Sequence, residues 1–166
     1  MSSLVKPLEF RPGLWEGLMD DLRERGRGRR ESGAFLLGRR LDWTKVVEQW
    51  LPYEELDSGA LRFEYVRLGT SAFSRLWQEC ASRGLEVVAD VHTHPKLPGQ
   101  SPSDRANPMI SLAGHIALIV PWFARGQVRP SDVSVNVYLG AGNWKSHFRR
   151  EAAALIKLSE EEPNGR

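Results

Sequence analysis

Two short apolar runs constrain the fold of this chain more than any other feature. Residues 85–91 and 116–120 are almost continuously hydrophobic and only seven and five residues long. Runs of this kind are typical of β-strands that other layers cover on both faces. Amphipathic helix patterns occur before and between them. The sequence therefore predicts an α/β (α+β) domain with a single mixed β-sheet flanked by helices.

The periodicity of the remaining segments gives a coarse map of elements. Pro12 is expected to be the first residue of a helix that ends at Gly26, and Thr70 or Ser71 is expected to cap a second helix that ends at Gly84. Strands are expected at 34–37, 46–51, 63–66, 85–91, 116–120, 133–139 and 144–148, and further helices at 103–113 and 149–158.

Length and composition narrow the class of protein. The 166 residues suit one domain, which we place at 1–158, followed by a polar tail at 159–166. The single cysteine, Cys80, excludes an internal disulfide and a cysteine cage for zinc, and its place on the inward face of the second helix predicts a packing role. No apolar run approaches the roughly 20 residues that span a bilayer, and the N-terminus lacks the apolar core of a signal peptide, so we expect a cytoplasmic protein without a membrane partner.

The net charge of +2 conceals a local basic cluster. Seven arginines lie between Arg23 and Arg40, against two glutamates. Such a cluster is typical of a solvated helix end and loop, and the alternative is a docking patch for an acidic partner. No recognisable nucleic-acid-reading motif accompanies the cluster, so we expect no clear nucleic-acid partner.

The residues with the clearest chemistry follow the first apolar run. His92 and His94 are separated by one residue, so strand geometry points both rings to the same side of the sheet. Asp104 returns from the next loop and supplies a third candidate ligand. Two imidazoles and a carboxylate suit zinc and leave one tetrahedral position for water. Such a water ionises near neutral pH and becomes a nucleophile.

These residues form part of a longer pattern. It consists of Glu31-Ser-Gly33-Ala-Phe-Leu36-Leu-Gly38 upstream, then His92-Thr-His94-Pro95, then Ser101-Pro-Ser-Asp104. This pattern resembles the signature of the JAMM (MPN-plus, JAB-domain) metalloprotease family. The element order matches the family from about residue 8 to residue 150. The resemblance implies a JAMM/MPN (cytidine-deaminase-like) fold. Because the chain has no room for appended substrate-selecting domains, it is similar to the minimal bacterial members.

The resemblance also implies a role for each residue. His92, His94 and Asp104 would ligate one zinc ion per chain. Glu31 would bind the metal-bound water, act as general base and pass the proton to the leaving amine. Ser101 would donate a hydrogen bond to that water or to the oxyanion that forms on attack.

Two of these roles have plain structural alternatives. The loop from Pro95 to Ser103 has nine residues, one fewer than is usual in the family, which bears on the position of Ser101. Ser101 could instead stabilise a turn rich in proline and serine. Glu31 could instead be a solvated carboxylate paired with Arg29 or Arg30.

The other polar residues near the motif leave more open. Asp90 lies inside the apolar run and either orients an imidazole or satisfies neighbouring backbone groups. His115 opens the next strand and is expected to be structural. His147 has no motif around it.

The resemblance implies a zinc metalloprotease that hydrolyses the isopeptide or peptide bond after the C-terminal tail of a ubiquitin-like protein. The tail would lie extended beside the site, and residues 54–62 form either a wall of that groove or an ordinary surface loop. Activating- and conjugating-enzyme homologues would be further partners in the same pathway. The alternatives are a catalytically silent binding module of the same fold and a zinc hydrolase acting on sulfur-carrier protein adducts.

Overall fold

The computed structural model describes residues 5–61 and 68–160. The strands are β1 (Leu8–Phe10), β2 (Gly33–Arg40), β3 (Lys45–Pro52), β4 (Glu86–Thr93), β5 (Ile116–Val120), β6 (Ser134–Gly140), β7 (Asn143–His147) and β8 (Ile156–Leu158). The α-helices are α1 (Leu14–Gly26), α2 (Tyr53–Leu56), α3 (Thr70–Arg83), α4 (Pro102–Ala106) and α5 (Arg150–Ala154).

Within the described ranges, eight strands form one mixed sheet in the order β7-β6-β5-β4-β2-β3-β1-β8. The strand β4 pairs antiparallel with β2 and parallel with β5. Both β4 and β5 lie inside the sheet, and almost all of their residues are buried, as the two apolar runs predict. The predicted fold class, a mixed sheet flanked by helices, is confirmed.

A hydrophobic core lies on each face of the sheet. On one face, α1 contributes a buried stripe that includes Leu18 and Leu22. On the other face, Leu76 and Cys80 of α3 pack in a cluster with Phe35 of β2. Burial raises the pKa of the Cys80 thiol, which disfavours the reactive thiolate. The predicted packing role of Cys80 is therefore confirmed.

The helix starts differ from the predicted ones. The helix α1 begins two residues after Pro12, because Gly13 takes the N-cap position with φ 74°. Neither Thr70 nor Ser71 caps α3, since Gly69 occupies its N-cap position and makes no side-chain hydrogen bond. The two predicted helix starts were therefore wrong by one or two residues. Of the two N-cap glycines, Gly13 takes the left-handed conformation that favours glycine, whereas Gly69 is extended with φ −80°.

The C-terminal region also departs from the sequence pattern. The helix predicted over 149–158 ends at Ala154, and β8 follows and pairs in parallel with β1, a strand that the sequence pattern did not predict. The helix predicted over 103–113 is confined to α4. The strand predicted over 63–66 lies outside the described residues.

Pairing continues one residue beyond the predicted end of the domain. The backbone N–H of Ser159 donates to the carbonyl of Phe10 at 3.0 Å. The division into a domain at 1–158 and a tail at 159–166 stays a prediction. Across 5–61 and 68–160, none of the helices combines the length and the apolar character that crossing a bilayer requires.

Gly38 lies where β2 passes too close to β3 for a side chain. A Cβ there would collide with the carbonyl oxygen of Val46, and the register shifts between Leu37 and Gly38. Since these backbone atoms are held by the strand pairing, Gly38→Ala is expected to lower the free energy of unfolding by about 2–4 kcal/mol in urea titrations. At Gly99 a Cβ would meet no atom within 4 Å. A loss no larger than that of the control Gly99→Ala would contradict this account.

Lys45 is a buried cation at the start of β3. The residue is 6% exposed, and its Nζ donates to the carbonyl of Gly114 at 3.1 Å. Burial, followed by the charges of Arg40 and Lys6, lowers the pKa of Lys45 from 10.5 to about 8. Between these two values the unfolded chain binds a proton that the folded chain does not hold. The stability that depends on this group therefore rises with pH across that window.

This pH dependence can be isolated by comparing the native chain with Lys45→Met. In a buffer without phosphate, the native chain should gain about 1–3 kcal/mol of unfolding free energy relative to the variant between about pH 7.5 and 10.5. The exposed Lys145→Met variant should show no such change relative to the native chain. A pH-independent difference for Lys45→Met would contradict the lowered pKa. Lys45 lines a surface cavity together with four other titratable groups, which stay in place in every comparison, namely Lys6, Arg40, His115 and Tyr138.

Candidate metal centre

Both motif histidines project from the carboxyl end of β4 toward one place. His92 is the penultimate residue of β4, and His94 follows its last residue. Their Nε2 atoms lie 3.1 Å apart. The predicted shared face is therefore confirmed, and each ring presents a nitrogen that a neutral histidine can use as a metal ligand.

The backbone of His94 is fixed from both sides by β5 and the turn that follows it. The N–H of His94 donates to the carbonyl of Val120, and the N–H of Phe123 donates to the carbonyl of His94, both at 2.8 Å. Residues 122–124 all have left-handed φ values, between 52° and 60°. Such a conformation costs about 1–3 kcal/mol per non-glycine residue and persists only where surrounding contacts determine it. This strained turn therefore fixes the position of a site histidine.

Asp104 reaches the histidines from α4 despite the short loop. Its Oδ1 lies 3.3 Å from Nε2 of His92, and its Oδ2 lies 3.1 Å from Nε2 of His94. The nine-residue loop therefore still brings the third predicted ligand into contact with the other two.

Ser101 sets the orientation of Asp104. Ser101 is the N-cap of α4, where its Oγ accepts a hydrogen bond from the backbone N–H of Asp104 at 3.1 Å. In return, the backbone N–H of Ser101 donates to Oδ2 of Asp104 at 2.8 Å. The structure thus shows the turn-stabilising contact that was the alternative for Ser101. The hydroxyl proton of Ser101 is not used by this contact and is available for a second hydrogen bond.

The distances among the three donor groups fit a zinc ion. Ligand atoms at about 2.0–2.1 Å from a tetrahedral zinc are about 3.3–3.4 Å from one another. The two Nε2 atoms are 3.1 Å apart, and those of His92 and His94 lie 3.3 and 3.1 Å from different oxygens of Asp104. A rotation of the carboxylate that directs one oxygen toward both rings would complete the geometry. Imidazole and carboxylate donors are also the types that zinc accepts.

The electrostatics of the cluster favour a cation at its centre. Burial raises the pKa of Asp104, but hydrogen bonds from both histidines and from the Ser101 N–H outweigh this effect and hold the pKa well below its usual range. Burial lowers the pKa of His92, yet the hydrogen bond and charge of Asp104, with the charges of nearby carboxylates, raise it overall. The carboxylate is therefore ionised at neutral pH and attracts positive charge to the two ring nitrogens.

Glu31 completes the cluster from the segment before β2. One ligand atom each from Glu31, His92 and His94 lie within 4.8 Å of one another, a group that could hold a metal ion. Its neighbour Ser32 is anchored to β4, since the N–H of Thr93 donates to the Ser32 carbonyl at 2.9 Å. Sheet pairing thus places Glu31 beside His92.

The environment of Glu31 suits a proton acceptor. Burial is the main cause that raises its pKa, the charge of Asp104 adds to the rise, and the two histidines oppose it. Among the described residues, Glu31 forms no ion pair with Arg29 or Arg30. The alternative of a solvated carboxylate is therefore not what the structure shows.

Asp90 and His115 form a buried pair beside the centre. Oδ2 of Asp90 lies 2.6 Å from Nε2 of His115, and both residues are 2% exposed. Asp90 therefore orients an imidazole, but that of His115 rather than that of His92 or His94. The structural role predicted for His115 is confirmed. His147 lies apart from the centre, with Nδ1 3.4 Å from Glu151.

The sequence did not single out Gln100 or Tyr53. Gln100 lines the same cavity of about 110 Å³ as Glu31, His92 and Asp104, and its buried Oε1 has no hydrogen-bond partner among the described residues. The hydroxyl of Tyr53 is likewise buried and without a described partner. No motif marks either residue, since only the folded chain brings them to the centre.

The arginine cluster is largely engaged within the chain. Arg25 and Arg30 share Glu54, with contacts of 3.2 and 3.0 Å, and Arg23 donates to the carbonyl of Ala124 at 2.7 Å. These arginines tie the end of α1 to α2 and to the turn after β5. Glu54, which contacts Arg25 and Arg30, begins the segment 54–62 that was considered as a wall of the substrate groove. None of residues 54–61 lines the metal-site cavity, and Arg62 lies outside the described residues.

A mixed sheet that carries a histidine pair, an aspartate and a glutamate at one end defines a JAB-type domain with a candidate metal centre. The sequence matches the Prok-JAB family, prokaryotic homologs of the JAB domain, over residues 16–138. The chain belongs to this family. The matched range contains Glu31, Ser101 and the three predicted metal ligands.

Two solution structures share the fold. Protein DSY2949 from Desulfitobacterium hafniense is 17% identical, with a TM-score of 0.62 over 93% of this chain and 94% of that chain. A protein from Salinibacter ruber is 18% identical, with a TM-score of 0.52 over 90% of this chain and 92% of that one. At these identities the likeness concerns the fold alone.

Proposed function

We propose that the protein is a zinc-dependent metallo-isopeptidase or peptidase that hydrolyses the bond after the C-terminal tail of a ubiquitin-like protein. One observation carries the proposal: three donor groups lie 3.1–3.3 Å apart beside the carboxylate of Glu31. A closed structural zinc site would have four protein ligands, whereas three ligands and a neighbouring carboxylate are typical of hydrolytic sites.

His92, His94 and Asp104 would hold the ion. When bound, zinc supplies a Lewis acid and lowers the pKa of water. Glu31 takes a proton from the attacking water and delivers it to the leaving amine. Its raised pKa suits both steps, because a carboxylate whose pKa lies nearer the working pH accepts and returns a proton more readily.

Ser101 and Gln100 would contact the reacting bond. The Ser101 hydroxyl accepts from Asp104 and still has its own proton to donate, which would stabilise the oxyanion. Gln100 lines the same cavity and would bind a backbone group of the substrate. Both residues belong to one loop, so their positions relative to Asp104 are coupled.

The surroundings of the centre suit an extended peptide. A second cavity of about 590 Å³ lies beside the same loop, and residues 97–99 line it while Gln100 and Ser101 line the metal-site cavity. Leu97 and Trp122 are exposed apolar side chains on its wall. We propose that a substrate side chain next to the cleaved bond enters this cavity. Activating- and conjugating-enzyme homologues would act on the same ubiquitin-like partner.

The proposal is tested by metal analysis together with a cleavage panel. The purified chain should contain about one zinc, and it should cleave at least one fusion or isopeptide-linked conjugate of a ubiquitin-like protein. Full zinc occupancy without any cleavage would favour a binding module. Release only from sulfur-carrier adducts would favour the other hydrolase.

A further inference from the structure

A third cavity, of about 370 Å³, lies at the opposite end of β2 from Glu31. Glu31 precedes the first residue of β2, whereas Arg40 is the last residue of β2 and pairs with Lys45 at the start of β3. The eight residues of β2 separate the two places by about 23 Å, at roughly 3.3 Å per residue. The cationic end of the cavity is therefore remote from Glu31, although the two linings approach each other at the buried Asp90–His115 pair.

Three cationic side chains line this third cavity: Lys6, Arg40 and Lys45. We propose that it binds an anionic group, a phosphate or a carboxylate, that is attached to an apolar body. This inference does not depend on the proposed peptidase activity.

The hydrogen bonds of the three cations leave donors unused. Lys6 donates to the carbonyl of Leu41 at 2.9 Å, and Lys45 donates to that of Gly114 at 3.1 Å. An ammonium group has three protons, so each lysine keeps two donors. Among the described residues, no carboxylate lies within 4.0 Å of either ammonium.

The third cation, Arg40, is only weakly neutralised. Its Nη2 donates to the carbonyl of Val87 at 3.0 Å. Its Nε lies 3.8 Å from the carboxylate of Glu86, a side chain that is 61% exposed. An exposed pair at this distance contributes little, so the positive charge of Arg40 stays available to the cavity.

Mutual repulsion makes this arrangement costly unless an anion joins it. Lys45 is 6% exposed, and the charges of Arg40 and Lys6 act on it in addition to the cost of burial. A bound phosphate or carboxylate would offset both effects, because charge-assisted hydrogen bonds to an anion are strong where water is excluded.

The remaining wall of the cavity selects for an apolar body. Leu112 and Leu139 line it and are 58% and 54% exposed, and Val5 and Val137 lie beside them. A volume of about 370 Å³ falls within the range of small-molecule sites, roughly 300–1,000 Å³. A bare inorganic anion would leave the apolar wall without contacts. A ligand with both parts would use the whole cavity.

The test is an NMR titration of the full-length protein with phenyl phosphate, 3-phenylpropionate and inorganic phosphate near pH 7. We expect both organic anions to bind and inorganic phosphate to bind more weakly. Lys45→Met and Arg40→Met should each weaken binding of the organic anions by at least about tenfold, the effect expected from the loss of one charge-assisted hydrogen bond. Lys145→Met removes the same charge outside the cavity and should bind as the native chain does.

A second comparison separates this cavity from the metal centre, which could itself attract phosphate. The His92→Ala variant should bind both organic anions with native affinity. Loss of binding in His92→Ala would overturn the proposal, as would equal weakening by Lys45→Met and Lys145→Met. No binding of either organic anion at millimolar concentration would also overturn it. If Lys45→Met does not fold, Arg40→Met provides the same comparison at a more exposed position.

Discussion

Replacing Glu31 with glutamine is expected to reduce cleavage at least about 100-fold, the usual effect of losing a general base. The zinc content should stay near one per chain. Glutamine keeps the size of the side chain and can still accept a hydrogen bond, but it cannot take up a proton at neutral pH. The three closely spaced donors, His92, His94 and Asp104, remain to hold the ion. Steady-state cleavage rates and metal analysis of the same samples measure the two effects.

A matched control separates this role from a general loss of charge. Glu24 lies exposed on α1, so Glu24→Gln should keep both activity and metal. If Glu31→Gln lost zinc, Glu31 would be a ligand, and the group of Glu31 with the two histidines would describe the centre better than the group with Asp104. If activity stayed at the native level, Glu31 would not be the base.

The central part of the fold could be predicted because it depends on local pattern. The runs at 85–91 and 116–120 contain their own burial signal, and β4 and β5 form there within a residue or two. The period of two along β4 also predicts that His92 and His94 share a face. These features require no knowledge of the rest of the chain.

The edge of the sheet could not be predicted, because its strands depend on distant partners. The strands β1 and β8 have three residues each and pair with each other in parallel across almost the whole chain. The local pattern of 149–158 favours a helix throughout, and the pairing with β1 ends that helix at Ala154. Tertiary contacts override a weak local preference here.

The motif predicts which side chains meet at the candidate centre, but not the contacts that support them. The motif identifies Glu31 and the histidine pair, yet the partner of Asp90 is His115, 25 residues away, and no spacing rule connects them. In the sequence, Arg25 and Arg30 suggest a basic docking patch, whereas in the structure both form ion pairs with Glu54. Side-chain pairing between distant segments is the part that the sequence alone does not show.

The glycines of the upstream motif have a packing explanation. A Cβ at Gly33 would collide with the ring of Tyr53 and lie 2.7 Å from the carbonyl oxygen of Val91. Gly33 pairs with His92, so a side chain there would push β2 away from the strand that carries the histidines. The spacing of Glu31 and Gly33 thus reflects the close approach that places the carboxylate beside His92 and His94.

His92→Ala is expected to remove both metal and activity. Loss of a residue that hydrogen-bonds to a metal ligand typically weakens metal binding roughly 10–100-fold. The loss of one of the three ligands themselves should weaken zinc binding more than this. Activity should then fall to background at zinc concentrations that saturate the native chain. Asp104 would keep only His94 as an imidazole partner, so the remaining groups cannot enclose the ion.

The most direct test of zinc binding is the midpoint of thermal unfolding, measured with and without zinc. An ion that binds only the folded chain raises this midpoint. Zinc should raise the midpoint of the native chain and of His147→Ala, whose histidine contacts Glu151 away from the centre. It should not raise the midpoint of His92→Ala. An equal rise in His92→Ala would mean that the ion binds elsewhere. If His92→Ala also lost cleavage despite this equal rise, His92 would act on the substrate and not as a ligand.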